Sequence, residues 1–362
     1  MTALLLLAGL LSLIVGGELL VRGASRMSAL LGLSPVVIGL TVVAFGTSAP
    51  ELAVGVQAAF GGRADLVVGN IVGSNIYNVL LVLGASALIV PLIVQQQLVR
   101  IDVPLMIVAS GAFFILALDG NISTDEGVAL FLLLVLYLVA VLTLARRESP
   151  EVVKEYEAEF GLREKRGLRT WALNGSLILL GLGLLVVGAG WLVDGAVGIA
   201  VALGVSELVI GLTVVAIGTS MPELVTSIVA SLRGERDIAV GNIVGSNIFN
   251  VLSVLALTAF AAPGGVAVST AALGLDIPFM LAVSVACLPI FFTGHLIARW
   301  EGALFLLYGM GYTLYLVLDA TRHEALPLFS AVTLLAVVPL TILTLIVVSV
   351  RQWRARRPAG RA

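Results

Sequence analysis

Sulfur and imidazole are scarce in this chain, which has one cysteine and two histidines in 362 residues. The lone Cys287 sits in an apolar run, allows no intramolecular disulfide and reads as a small packing residue. His295 and His323 both fall in predicted loops, so a histidine proton relay in the core is excluded by count. The same scarcity argues against zinc or copper, which favour thiolate and imidazole ligands. Charge is sparse too: Asp, Glu, Lys and Arg form 12% of the chain, against 60% hydrophobic residues and a mean hydropathy of +1.13. These proportions exclude an ordinary soluble domain and point to a polytopic helical membrane protein. An intramembrane enzyme finds no support either. His323-Glu324 is followed by no second histidine, no paired aspartates lie at membrane depth, and no core serine has a histidine base.

What the chain does have is long apolar runs, among them Met1–Gly17, Met27–Pro50, Gly127–Ala145, Thr170–Val193 and Ala325–Val350. Each is long enough to cross about 30 Å of hydrocarbon. Leu66–Val99 and Ile238–Leu275 hold a helix plus a turn, marked by Pro91 and by Pro263-Gly264-Gly265. Eleven spans are expected, centred near 11, 45, 78, 110, 135, 181, 218, 250, 283, 310 and 338. The first run has no basic start and is read as a retained helix. Lys and Arg concentrate in cytoplasmic loops. With the N-terminus outside and the C-terminus inside, eighteen of the twenty basic residues fall on the inner side, leaving only Arg63 and Arg322 outside. The expected setting is a multi-pass membrane protein, with lipid as its surroundings and neither nucleic acid nor an obligate protein partner.

The chain repeats itself. Gly39–Leu52 (GLTVVAFGTSAPEL) returns 172 positions later as Gly211–Leu224 (GLTVVAIGTSMPEL), and Val68–Leu80 returns at the same offset as Val240–Leu252 with one change. The organisation follows as a first five-helix repeat over 1–145, a charged cytoplasmic linker over 146–170, a second repeat over 171–320, an eleventh helix over 321–350 and a basic tail over 351–362. An odd number of spans separates equivalent residues, so the two copies face opposite ways. Arg22, predicted inside, aligns with Asp194, predicted outside.

Each copy buries a glutamate in an apolar helix, at a cost of roughly 2.5 to 3.5 kcal/mol on insertion scales. Two such residues at matching places point to one shared cation site. Pro50 and Pro222 supply no N–H to the carbonyls of Gly46 and Gly218, so both helices must loosen there. Irregular backbone at that depth is tolerated only when buried in protein or lining a cavity. Thr47 and Glu51, and likewise Thr219 and Glu223, share a helix face, with Ser48 and Ser220 beside them. Asn70, Ser74 and Asn78, and their counterparts Asn242, Ser246 and Asn250, form a polar stripe on each following helix. Gly69, Gly73, Gly241 and Gly245 have the small-xxx-small spacing that lets helices approach closely. Glu18, Asp102, Glu207 and Asp276 fall near predicted span ends and are read as capping or interface residues. Hard oxygen donors in this number suit a calcium-like ion, which takes six to eight of them at about 2.3 to 2.6 Å.

The segments GTSAPE with GNIVGSNIYN, and GTSMPE with GNIVGSNIFN, resemble the alpha repeats of the cation/calcium exchanger superfamily, in its sodium/calcium exchanger branch. The resemblance implies an all-α ten-helix core of inverted five-helix repeats, here with one added C-terminal helix, in which Ca2+ and Na+ compete at the centre. It further implies that Glu51 and Glu223 ligate both ions and that Thr47 and Thr219 offer backbone carbonyls to Ca2+. Ser48, Ser74, Ser220 and Ser246 would help bind Na+, and Asn78 would be the polar ligand of the first repeat. Asn250 departs from the pattern, because many exchangers of this branch carry aspartate there. The expectation is a secondary antiporter exchanging Na+ for Ca2+, with no resident cofactor. A Ca2+/H+ antiporter of the same superfamily is the alternative, followed by a passive cation channel.

Overall fold

The computed structural model describes residues 2–145, 167–202, 216–292, 294–344 and 346–347, and these are almost wholly helical. In hydrocarbon every backbone polar group must be paired within the protein, which unbroken helices achieve. Membrane-crossing helices appear where the apolar runs predict them: α1 (Leu4–Leu31), the bent α2 (Pro35–Thr47 and Ala49–Phe60), α3 (Ala64–Ile89), α4 (Leu98–Asp119) and α5 (Thr124–Leu144). The second repeat supplies α6 (Leu168–Ile199), α8 (Arg236–Ala261), α9 (Ala272–Phe292) and α10 (Arg299–Ala320), while α7 is described only as the shorter pieces Ala216–Thr219 and Met221–Leu232, so ten of the eleven expected spans are long enough to cross among the described residues. The added helix is α11 (Leu326–Thr344). The expected linker, the basic tail, Glu207 and the first part of the seventh span fall on 146–166, 348–362 and 203–215, outside the described residues.

Burial orders these helices into shells. In α3 and α8, 83% and 89% of the most apolar stretch is buried inside the protein, while in α11 the figure is 0%. Thus α3 and α8 form the centre, and α11 lies at the periphery. Leu, Val and Ile exposed along α1, α5, α6 and α11 meet lipid instead of water. Gly62 and Gly234, one repeat apart, take φ of 66° and 83° at the turns after α2 and α7, a left-handed backbone that glycine adopts without a Cβ penalty.

Two features tie the repeats together without having been visible in the hydropathy. Short strands β1 (Leu92–Ile93) and β4 (Leu296–Ile297) pair antiparallel at one end of the bundle. At the other end β2 (Asn121–Ile122) pairs with β3 (Val266–Ala267). Each bridge joins a loop of one repeat to a loop of the other, and the two are related by the repeat. The second feature is a glycine seam between α1 and α6. A Cβ built on Gly16 would stand 2.8 Å from the Gly181 carbonyl oxygen, and one on Gly9 2.8 Å from that of Gly188. Any side chain there would push the two helices apart, so they pack as one close unit.

Candidate cation site

The helix containing Glu51 breaks where the proline predicts. Its two halves meet at a bend of 41°, and Ser48 at the break leaves helical geometry with φ −79° and ψ 5°. Ser220 does the same in α7, with φ −86° and ψ 8°. Pro50 and Pro222 therefore begin new half-helices instead of kinking old ones, and Glu51 and Glu223 stand in the first turns of those halves. Aligned peptide dipoles at a helix N-terminus favour a nearby anion, which offsets part of the cost of a buried carboxylate.

Both glutamates are wholly buried, each at 0% exposure. Ser74 Oγ donates to Glu51 Oε1 at 3.3 Å, and Ser48 Oγ donates across the repeats to Glu223 Oε1 at 3.4 Å. Ser220 lies beside Glu51 in the mirror place, while Thr47 and Ser246 stand beside Glu223. Through Ser48, which stands three residues before Glu51 and bonds Glu223, the two glutamates meet in one polar cluster. Oε2 of each has no hydrogen-bond partner among the described residues, and neither do Ser220 Oγ or the Oδ1 atoms of Asn78 and Asn250. Buried polar atoms are almost always satisfied, so these orphaned oxygens make this region the candidate cation site.

The remaining expected residues join the same cluster. Thr47 Oγ1 donates to Asn242 Oδ1 at 3.0 Å and lies 3.3 Å from Ser246 Oγ. Thr219 Oγ1 donates to Asn70 Oδ1 at 3.5 Å, and Asn70 Nδ2 donates to the Glu51 carbonyl at 3.0 Å. Each broken helix is thus held by the polar stripe of a central helix. The predicted close approach is present as well: a Cβ on Gly241 would come within 2.8 Å of the Val36 carbonyl, and one on Gly245 within 2.8 Å of that of Leu40. At Gly69 and Gly73 no such approach is seen among the described residues. Among the described residues no three His, Cys, Asp or Glu side chains group as metal ligands.

Several features escaped the sequence reading, in the site and around it. Asn75 and Asn247 lie off the four-residue stripe, yet they bond to Asn250 and Asn78 at the centre. Their presence inside the duplicated GNIVGSN segment was the available signal. A π-helical turn begins at each of those ligand candidates, over Asn78–Leu83 and Asn250–Leu255, a local widening often found at functional positions. Asp102 does not cap α4 but accepts a hydrogen bond from the Tyr137 hydroxyl at 3.4 Å, as Asp276 does from Tyr312 at 3.1 Å. Glu18 lies well inside α1 and pairs with Arg22 and Arg233.

Comparison with known proteins agrees with this architecture. The family described as sodium/calcium exchanger protein matches residues 1–143 and 174–318. Putative antiporter CaxA of Alkalimonas amylolytica is 40% identical over 312 residues, covering 84% of this chain and 95% of that protein. Inner membrane protein YrbG of Escherichia coli strain K12 is 38% identical over 78% of this chain and 86% of its own. Sodium/calcium exchanger MaX1 of Methanosarcina acetivorans is 32% identical over 86% of this chain and 97% of its own. Among solved structures, the sodium-calcium exchanger NCX_Mj soaked with Na+ and Ca2+ superposes with a TM-score of 0.72 at 31% identity, covering 85% of this chain and 96% of that one.

Proposed function

We propose that this chain, which belongs to the sodium/calcium exchanger protein family and is a multi-pass membrane antiporter of the cation/calcium exchanger superfamily, exchanges Na+ for Ca2+. The observation that carries the choice of ions is the pair of buried glutamates, each with a carboxylate oxygen that has no partner among the described residues, amid hydroxyl and amide oxygens. Two negative charges balance one Ca2+. In this reading Glu51 and Glu223 serve both ions, Thr47 and Thr219 give backbone carbonyls to Ca2+, and Ser48, Ser74, Ser220 and Ser246 complete the Na+ positions. Asn78 and Asn250 contribute amide oxygens. The names of MaX1 and NCX_Mj support the same pair of ions.

Coupling follows from the cost of an empty site. Two bare carboxylates cut off from water would each forfeit several kcal/mol of hydration, so the unloaded protein resists passing between its two faces. Either ion relieves that cost, and only a loaded site crosses. As the family resemblance implies, the α1–α6 pair slides over the rest; its close glycine packing and the two strand bridges that join the remaining helices are compatible with that motion. The protein sits in the inner membrane with its N-terminus outside and its C-terminus in the cytoplasm, a placement supported by the basic residues and by the name of YrbG. The repeats span 1–145 and 171–320, with 146–170 as a cytoplasmic linker.

Proteoliposomes loaded with Na+ and diluted into Na+-free medium containing 45Ca2+ test the reading. Uptake that requires the Na+ gradient is the expected result. Uptake driven by a pH gradient alone assigns the counter-ion to H+, and release of 45Ca2+ at one rate whatever ion lies opposite would make the protein a channel.

A further inference from the structure

We propose that Asn75 and Asn247 are positioning residues that fix which end of each ligand amide faces the cation, each acting on the asparagine of the opposite repeat. The inference rests on the exchange reading and adds a requirement to it. An asparagine amide carries an acceptor oxygen and a donor NH2 of nearly the same shape. Rotated by half a turn, Asn78 or Asn250 would present N–H groups to a cation and repel it. The surroundings have to choose the orientation.

Asn247 Oδ1 accepts a hydrogen bond from Asn78 Nδ2 at 3.1 Å, and Asn75 Oδ1 accepts one from Asn250 Nδ2 at 3.0 Å. With their NH2 ends engaged, Asn78 and Asn250 keep Oδ1 buried and without a partner among the described residues. The two positioning amides are themselves held. Asn75 Nδ2 donates to the Asn247 carbonyl at 3.3 Å and to Met280 Sδ at 3.6 Å; Asn247 Nδ2 donates to the Asn75 carbonyl at 3.3 Å and to Met106 Sδ at 3.5 Å. Reversing either one would set its NH2 against the NH2 of a ligand amide and surrender two bonds of its own. All four asparagines are at most 1% exposed, so water cannot stand in for a lost partner. Because each lock crosses from one repeat to the other, a ligand is oriented correctly only when α3 and α8 are docked together.

The test uses the bypass that a carboxylate provides, since its two ends are both oxygen. Asn247→Leu is compared with the native protein, and again in a chain that already carries Asn78→Asp, by the Ca2+ concentration giving half-maximal 45Ca2+ uptake. In the native background half-saturation should rise about tenfold, with the maximal rate changed by under about threefold. Alongside Asn78→Asp the rise should fall below about threefold, because no orientation remains to be fixed. A purely structural asparagine would lower the maximal rate or the melting temperature equally in both backgrounds, and that result overturns the proposal. The mirror pair, Asn75→Leu with and without Asn250→Asp, should behave alike and decides the question where Asn247→Leu does not fold. Native protein that exchanges Na+ for Ca2+ while neither Leu substitution alters half-saturation keeps the exchange reading and removes the positioning role; native protein that takes up no Ca2+ removes both.

Discussion

Replacing Glu223 by glutamine subtracts one charge from the site and almost nothing from its shape. Glu223 is at 0% exposure, its Oε1 takes one serine hydrogen bond at 3.4 Å, and its Oε2 has no partner among the described residues. The transported ion is therefore the main neutralising charge available to it. Removing one partner from a buried, paired charge costs about 3 to 5 kcal/mol, or roughly two to three and a half orders of magnitude in affinity for Ca2+. Attraction scales with ionic charge, so Na+ loses about half as much, which is roughly one to two orders of magnitude. Glu223→Gln should thus raise the Ca2+ needed for half-maximal uptake by about a hundredfold or more and shift preference toward Na+. The ion-free protein should not melt earlier, because the substitution removes repulsion between two carboxylates, but added Ca2+ should no longer raise its melting temperature. Half-saturation within about threefold of the native value, or equal weakening of Ca2+ and Na+, would refute the argument that charge balance sets selectivity.

Three further outcomes are expected. Ser48→Ala removes the hydroxyl that reaches Glu223 from the other repeat, worth about 0.5 to 1.5 kcal/mol, so Na+ half-saturation should rise roughly two- to tenfold with a smaller change for Ca2+, measured by Na+ inhibition of 45Ca2+ uptake. Gly245→Ala would place a Cβ 2.7 Å from that of Ala44 and 2.8 Å from the Leu40 carbonyl oxygen, so melting in detergent should occur earlier by an amount matching an overpacking cost of about 1 to 3 kcal/mol. A chain ended after Arg322 loses α11, none of whose most apolar stretch is buried, and should retain Na+-driven Ca2+ uptake within about twofold per folded molecule.

Much of the fold was legible because a bilayer makes one demand on every segment. Apolar length alone gave the positions of the crossing helices, and the prolines at 50 and 222 gave the places where two of them break. The repeat then identified the candidate site, since a chance glutamate in hydrocarbon has no reason to recur 172 residues later beside the same Thr-Ser pair. The strand bridges were not legible: two-residue pairings such as Leu92 with Ile297 carry no period that a pattern of apolar and polar residues can reveal. Its place near a span end marks Asp102 as a capping or interface residue, whereas its partner, Tyr137, comes from the next helix and is not inferable from local spacing. Asn75 and Asn247 were missed for a related reason. The four-residue stripe identifies side chains sharing one helix face, and these two turn toward the facing central helix.

Inversion accounts for why the site is made of halves that cannot work separately. On the proposed exchange reading, a single five-helix repeat would hold one carboxylate, too little charge to balance a divalent ion, and one candidate ligand amide with no partner to orient it. Placing the second copy upside down brings the N-terminal ends of two half-helices toward one another from opposite sides of the bilayer, so both glutamates reach the centre with dipoles favouring their charge. The same operation brings Ser48 to Glu223, Thr47 to Asn242, Thr219 to Asn70 and the paired asparagines to each other, all bonds between repeats. Residues bonded across that boundary cannot vary independently of their counterparts. That constraint gives a physical reason for the motifs to remain nearly identical in both copies while the flanking helices have diverged into different apolar sequences.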